Sequence, residues 1–281
     1  KDIWKDWQSY MAGFGYAVDA QEAMSGNTLQ VTDMTMTMPM PDGAGSFAIT
    51  LDQIDFVENG DGTVSLVYAE TMPMEFAFQM PEGEAIKGVV EYTIKNMNTL
   101  VSGDPANVTY ATTGEEISIV LKELNIDGDQ MPMDAMKARF TAKDISGQTS
   151  MEPGELRKIT QDITFGATSY QVDFQDPEGS VGIVIDGKIA GMKMDGVSMV
   201  PATIDPENMS ETLNNGFAVT GGFSYTGSTT EFAITEDGDT MSGSSGADAA
   251  EITVSMDKNS LEYAGSSKGV SLNVRGGEIP L

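Results

Sequence analysis

Residues 28–43 read TLQVTDMTMTMPMPDG, residues 46–62 SFAITLDQIDFVENGDG and residues 63–80 TVSLVYAETMPMEFAFQM. Apolar side chains alternate with polar ones: Leu29 and Val31, then Met34, Met36 and Met38; Phe47, Ile49 and Leu51, then Ile54 and Phe56; Met74, Phe76, Phe78 and Met80. A period of two sends successive side chains to opposite faces, so each run predicts a strand with one buried and one wet face. Asp42-Gly43, Asn59-Gly60 and Asp61-Gly62 supply residues that tolerate the positive φ of tight hairpins. The stretch predicts neighbouring antiparallel strands.

The phase of the alternation slips by one between Val31 and Met34, between Leu51 and Ile54, and between Leu121 and Leu124. An uncompensated slip would turn every later side chain to the other face, whereas a bulge absorbs the extra residue and bends the strand. Repeated slips predict long curved strands; short strands joined by tight corners are the alternative.

Outward from this stretch, Ile3, Trp4, Trp7, Met11 and Phe14 fall on one stripe at helical spacing, which predicts an amphipathic helix over 1–14 ended by Gly13 and Gly15. Strand patterns continue over 16–22, 86–97, 108–110, 116–126, 140–145, 159–165 and 169–174. Residues 180–185 and 188–194 read as a hairpin turned at Asp186-Gly187, with a further turn at Asp195-Gly196. Asp205-Pro206-Glu207 starts a short helix running to about residue 214, with Gly216 beyond it. Strands resume over 217–225, 230–235, 251–256, 261–263 and 270–274; residues 242–250, SGSSGADAA, read as a loop too poor in apolar side chains to pack. The expected fold is mostly β: an extended, curved antiparallel meander, groove-like or sandwich-like, with an N-terminal amphipathic helix and one further short helix. The second helix suggests a division into 1–204 and 205–281, or one continuous domain.

Composition bounds the function. Of 281 residues, 43 are acidic and 15 basic, a formal net charge of −28. Such a surface opposes nucleic acid, whose phosphates need basic partners, and opposes charge-driven docking on anionic lipid. Cysteine and histidine are absent, which removes disulfides, thiol chemistry and the usual nitrogen and sulfur zinc ligands. No apolar run reaches the roughly 18 residues of a membrane span. With no nucleotide loop, nucleophile elbow or carboxylate pair, the chain reads as non-enzymatic and without a cofactor. Its opening directly on a helical pattern resembles a processed secreted protein, and periplasm or exterior is the expected location.

Methionine, with 20 copies, is the compositional anomaly. Three uses fit it: filling irregular core gaps, lining an adaptable apolar groove, or ligating a soft metal. Met34, Met36, Met38, Met74, Phe76 and Phe78 are the candidate groove residues, with lipid or another apolar molecule as ligand. Trp4, Trp7 and Met11 form either a structural plug or a contact with a membrane surface or protein partner, and self-assembly is a further use of the sheet. Asp237, Asp239, Asn59 and Asp61 are oxygen-rich, yet neither stretch has the ligand spacing of a calcium loop.

Several motifs resemble a family of alphaproteobacterial secreted proteins catalogued as domain of unknown function family 2125. They are Trp4 and Trp7; Gly60, Asp61, Gly62, Thr63 and Val64; Asp176, Pro177, Glu178 and Gly179; and Gly277, Glu278, Ile279 and Pro280. The resemblance implies export and a longer precursor, and it carries no catalytic residues. Residues 119–128, with their slip and terminal Asp127-Gly128 turn, are similar at the level of fold to AsmA-like periplasmic proteins. That likeness implies a long sheet forming a lipid-holding groove.

Overall fold

The structure, a computed structural model, describes residues 1–40, 45–79, 85–176, 179–205 and 208–276. Helix α1 (Asp2–Gly13) opens the chain. The strands follow as β1 (Ala17–Ser25), β2 (Thr28–Pro39), β3 (Ser46–Glu58), β4 (Val64–Tyr68), β5 (Thr71–Gln79), β6 (Ala85–Lys95), β7 (Asn98–Asp104), β8 (Asn107–Ile126) and β9 (Asp129–Gln130). Then come β10 (Met136–Glu152), β11 (Leu156–Phe165), β12 (Thr168–Gln175) and β13 (Val181–Pro201). Helix α2 (Met209–Asn214) precedes β14 (Ala218–Glu236), β15 (Asp239–Met256), β16 (Leu261–Lys268) and β17 (Ser271–Arg275).

All pairings are antiparallel, and they form a meander once strands that share a partner are taken as halves of one longer strand, as β4 and β7 pair beside β5 and β6. β3 pairs with β4 along one half and β5 along the other. β8 pairs in the same way with β6 and β7, β13 with β11 and β12, and β15 with β16 and β17. Each of these split pairs is therefore one long strand broken at its middle.

The breaks line up. On the face that carries α1, the side-chain series steps by three instead of two from Val31 to Met34, Leu51 to Ile54, Gly114 to Ile117, Ala142 to Ile145, Phe165 to Thr168, Ile189 to Met192 and Tyr225 to Ser228. Val31 pairs with Ile54 and Met34 with Leu51; Gly114 pairs with Ile145 and Ile117 with Ala142. Neighbouring strands thus carry the extra residue at the same level, and a single crease crosses the sheet. Asp33, Asn96, Asp144, Gly227 and Gly269 sit on it with φ of 51°, 49°, 51°, 60° and 64°. These are the residue types that enter the left-handed region at least cost. The slip at Leu124 is a separate bulge, marked by a register shift opposite Val89 and Val90. The phase slips read in the sequence are thus bulges within long strands.

α1 lies across this inner face. Trp4 is completely buried with Leu29, Val31, Met34, Ile54, Phe56, Leu66, Val101 and Tyr110. The outer face is wet. It carries threonine and serine pairs such as Thr35–Thr50 (3.1 Å) and Thr220–Ser255 (3.1 Å), and ion pairs such as Lys95–Glu116 (2.6 Å) and Lys193–Asp162 (3.0 Å). Exposed pairs of this kind contribute little stability; here they show which face meets water.

Three expectations change. Residues 242–250 are not a loop but lie inside β15, paired throughout with β14. Their small size makes room, since a Cβ on Gly243 would stand 2.7 Å from the Phe232 ring. Asp186-Gly187 and Asp195-Gly196 are not turns but mid-strand positions of β13. Gly187 lies under the Tyr170 ring, whose hydroxyl bonds Thr230 Oγ1 at 2.7 Å across the glycine. The second helix is shorter, capped by Asn208, whose side chain accepts from the Glu211 amide at 3.2 Å. β13 and β14 pair from Val181–Glu236 to Met199–Ala218 on either side of this helix. Met80, Asp42-Gly43, Pro177-Glu178, Pro206-Glu207 and residues 277–281 lie outside the described residues.

Candidate functional site

α1 is fixed to the sheet at several points. Trp4 Nε1 donates to Glu22 Oε1 (2.8 Å) and Trp7 Nε1 to the Tyr110 hydroxyl (3.0 Å). Arg157, at the start of β11, donates to both Asp6 carboxylate oxygens (2.6 and 3.0 Å) and lies 5.2 Å from the Tyr10 ring centroid. The Ile204 amide donates to the Gly13 carbonyl at 2.8 Å, holding the helix C-terminus. The helix is thereby a wall of the inner face.

Between this wall and the crease lies an open cleft of about 520 Å³, lined by Trp7, Tyr10 and Met11 of the helix and by Tyr68, Tyr92, Met97, Tyr110, Ile145, Ile163 and Phe165 of the sheet. Its few polar groups are uncharged: tyrosine and threonine hydroxyls and the Gln161 carboxamide. Burial pushes the Tyr68 phenol up to about 12 and raises Tyr92 and Tyr110. Thr99 and Thr112 hydroxyls bond each other at 3.0 Å. The arrangement suits an apolar molecule and offers no nucleophile paired with a base.

The cleft does not close at its far side. Gln161 and Ile163 line both it and a second depression of about 310 Å³ formed by the sheet alone. There Gly196 and Gly221 stand side by side as a floor without side chains, flanked by Met194, Phe223, Ile252 and Val254. Ile252 is 53 % exposed and Met194 43 %. The apolar strip runs on to Tyr263 and Leu261, 80 % and 65 % exposed, on the outermost strand. Every residue of β16 and β17 is exposed, and among the described residues their outer edge has no partner strand.

The six candidate groove residues come together on one face. Met34 and Met74 flank Leu51, Met36 and Phe76 flank Ile49, and Met38 and Phe78 flank Phe47. Met34 is buried in the core, while Phe47 and Phe78 pack at 4.8 Å and Phe76 and Phe78 at 6.0 Å. They form a packed patch beyond the crease, and none lines the cleft. Trp4, read as a possible contact, is instead core: its surface is covered and its indole N–H is taken. Trp7 and Met11 are half-buried and face the cleft. Asp61 accepts from the Thr63 amide and hydroxyl (3.0 and 2.6 Å), and Asp237 is a left-handed turn residue. Among the described residues, no three carboxylates gather as metal ligands.

Sequence reading missed the tyrosines and the Gly196–Gly221 floor. The signal was present in the alternation of Thr149 with Met151 and of Ile159 with Gln161 and Ile163, weakened by the polar residues that share the buried face. No protein-family model, curated protein or solved structure matches the chain.

Proposed function

We propose that this is a non-enzymatic protein of the periplasm or cell exterior that binds and carries an apolar ligand, such as lipid, on the inner face of its sheet. The observation that carries the reading is the cleft beneath α1 opening into an uncovered apolar strip. Monomeric soluble proteins rarely expose contiguous apolar surface of this kind unless it binds something. A polar outer face opposite it lets the sheet stay in water while its inner face holds the ligand. The resemblance to envelope families supports the location.

Native mass spectrometry of protein purified from its own source, followed by organic extraction and lipid analysis, tests this. A stoichiometric apolar ligand supports it; a ligand-free monomer removes it. A second reading, a subunit that assembles through its sheet edge, is favoured by the fully exposed β16–β17 edge with Leu261, Tyr263, Val270 and Leu272. Unpaired edge strands recruit further strands. Ligand-free oligomers would select this second reading.

A further inference from the structure

The apolar track has an internal order that specifies the shape of its occupant. Cross-strand pairing runs Tyr110, Thr149, Gln161, Gly196, Gly221, Val254 on β8, β10, β11, β13, β14 and β15. The middle of this row is polar: Thr149 and Gln161 are direct partners. Neither side chain has a hydrogen-bonding partner among the described residues, so both are available to a ligand. On one side of the pair lies the helix-covered cleft, on the other the glycine-floored trough. With strands about 4.8 Å apart, the cleft from β4 to β11 spans about 19 Å and the trough from β11 to β15 about 14 Å. Each arm is close to half the roughly 30 Å hydrocarbon thickness of a bilayer, the depth of one acyl leaflet.

The charge at the track is equally selective. The ionisable groups beside it are already paired, Arg157 with Asp6 (2.6 Å) and Asp195 with Lys193 (3.5 Å). The cleft tyrosines remain protonated at neutral pH. Among the described residues an anionic headgroup would find no free cation beside the track, and it would meet the field of a chain of net charge −28. A carboxamide and a hydroxyl match a head that carries hydroxyl or ester oxygens without charge.

Resting on the carrier reading above, we propose that the site takes an uncharged lipid with two acyl chains, its polar centre at Thr149 and Gln161, one chain beneath α1 and the other in the Gly196–Gly221 trough.

The test is calorimetric titration of the full chain with didecanoylglycerol, monodecanoylglycerol and didecanoyl phosphatidate, each below its aggregation threshold. The neutral two-chain probe binds one to one, and about tenfold or more tighter than either of the others, the ratio that about 1.4 kcal/mol corresponds to. Ile252→Lys, at an exposed position of the trough wall, brings the two-chain probe down to the affinity of the one-chain probe and leaves the latter unchanged. Val184→Lys, on the outer face and 44 % exposed, changes neither. Phosphatidate binding as tightly as diacylglycerol overturns the uncharged head and leaves the carrier reading standing. Equal affinity for one and two chains, or an Ile252→Lys variant that binds both probes normally, overturns the two-arm arrangement alone. A folded protein that binds none of the probes overturns the proposal and the carrier reading together.

Discussion

Replacing Trp4 with alanine tests whether α1 is part of the core or a detachable cover. The Trp4 side chain is 0 % exposed, its ring centroid lies 6.0 Å from that of Phe56, and its N–H donates to Glu22 at 2.8 Å. Truncating a buried aromatic residue costs about 3–5 kcal/mol, part lost transfer energy and part cavity. Over 281 residues, an unfolding entropy of about 2.1 cal/mol/K per residue gives about 0.6 kcal/mol/K, so the midpoint falls by about 5–8 °C. Trp4→Phe separates packing from hydrogen bonding. It keeps most of the ring burial, and Glu22 is exposed, so water replaces the lost partner and the net hydrogen-bond loss is about 1 kcal/mol. Scanning calorimetry of the three proteins at equal concentration reads both effects. An alanine variant melting within about 1 °C of the parent would refute the reasoning, because α1 would then melt away without disturbing the sheet. Equal losses for phenylalanine and alanine would show that the indole N–H, not the packing, holds the helix.

Other outcomes follow from the same geometry. Gly187→Ala puts a methyl where the Tyr170 ring lies and breaks its bond to Thr230; overpacking of this kind costs about 1–3 kcal/mol, read as a lower urea midpoint at unchanged slope. Alkali should unfold the protein. Burial raises the Tyr68 phenol from 10.0 to about 12 in the folded chain, so its contribution is complete below pH 10. It disappears as pH climbs through the folded value, a loss of about 3 kcal/mol at about 1.4 kcal/mol per pH unit. Parallel ultraviolet and circular-dichroism titrations should show the last of the tyrosinate signal appearing together with loss of structure, and complete tyrosine ionisation without unfolding would contradict the burial of Tyr68. Leu261→Lys with Tyr263→Lys places charges on a fully exposed strand and should leave the unfolding free energy within about 0.5 kcal/mol of the parent's. In sedimentation the pair abolishes any self-association that uses this edge, and oligomers surviving it place their interface elsewhere.

The fold was legible where apolar alternation was strong. The three-residue steps at Met34 and Ile54 announced the crease, because only a bulge keeps Leu29 and Met34 in one core. Legibility failed where a neighbour supplies the apolar side chain. Gly187 and Gly243 occupy the buried face of the sheet, yet the bulk above them belongs to Tyr170 and Phe232 on adjacent strands. A strand whose share of the face is glycine reads as a turn or a loop, and that is how 186–187 and 242–250 misled. The candidate site fared less well for a related reason. Methionine and phenylalanine runs mark a sheet that packs against itself, as Met36, Phe76 and Phe78 do. The cleft is instead made by long-range meetings of Trp7, Tyr110 and Ile163, which no local pattern records.

The crease also sets how this chain tolerates insertions and deletions. Beyond β1, which meets the step of β2 with a register shift instead, the long strands reach it with extra residues of their own, so a hairpin added at the far edge with the same step would extend the ladder without disturbing the register of strands already in place. Loss of one residue at Asp144 is a different matter. Strand β10 runs from Met136 to Glu152 and is paired on both sides, so the part beyond the gap must either slide against β8 and β11 or turn its apolar side chains to the water. Length changes in this protein should therefore be accepted in whole hairpins and rejected as single codons along one line across the sheet.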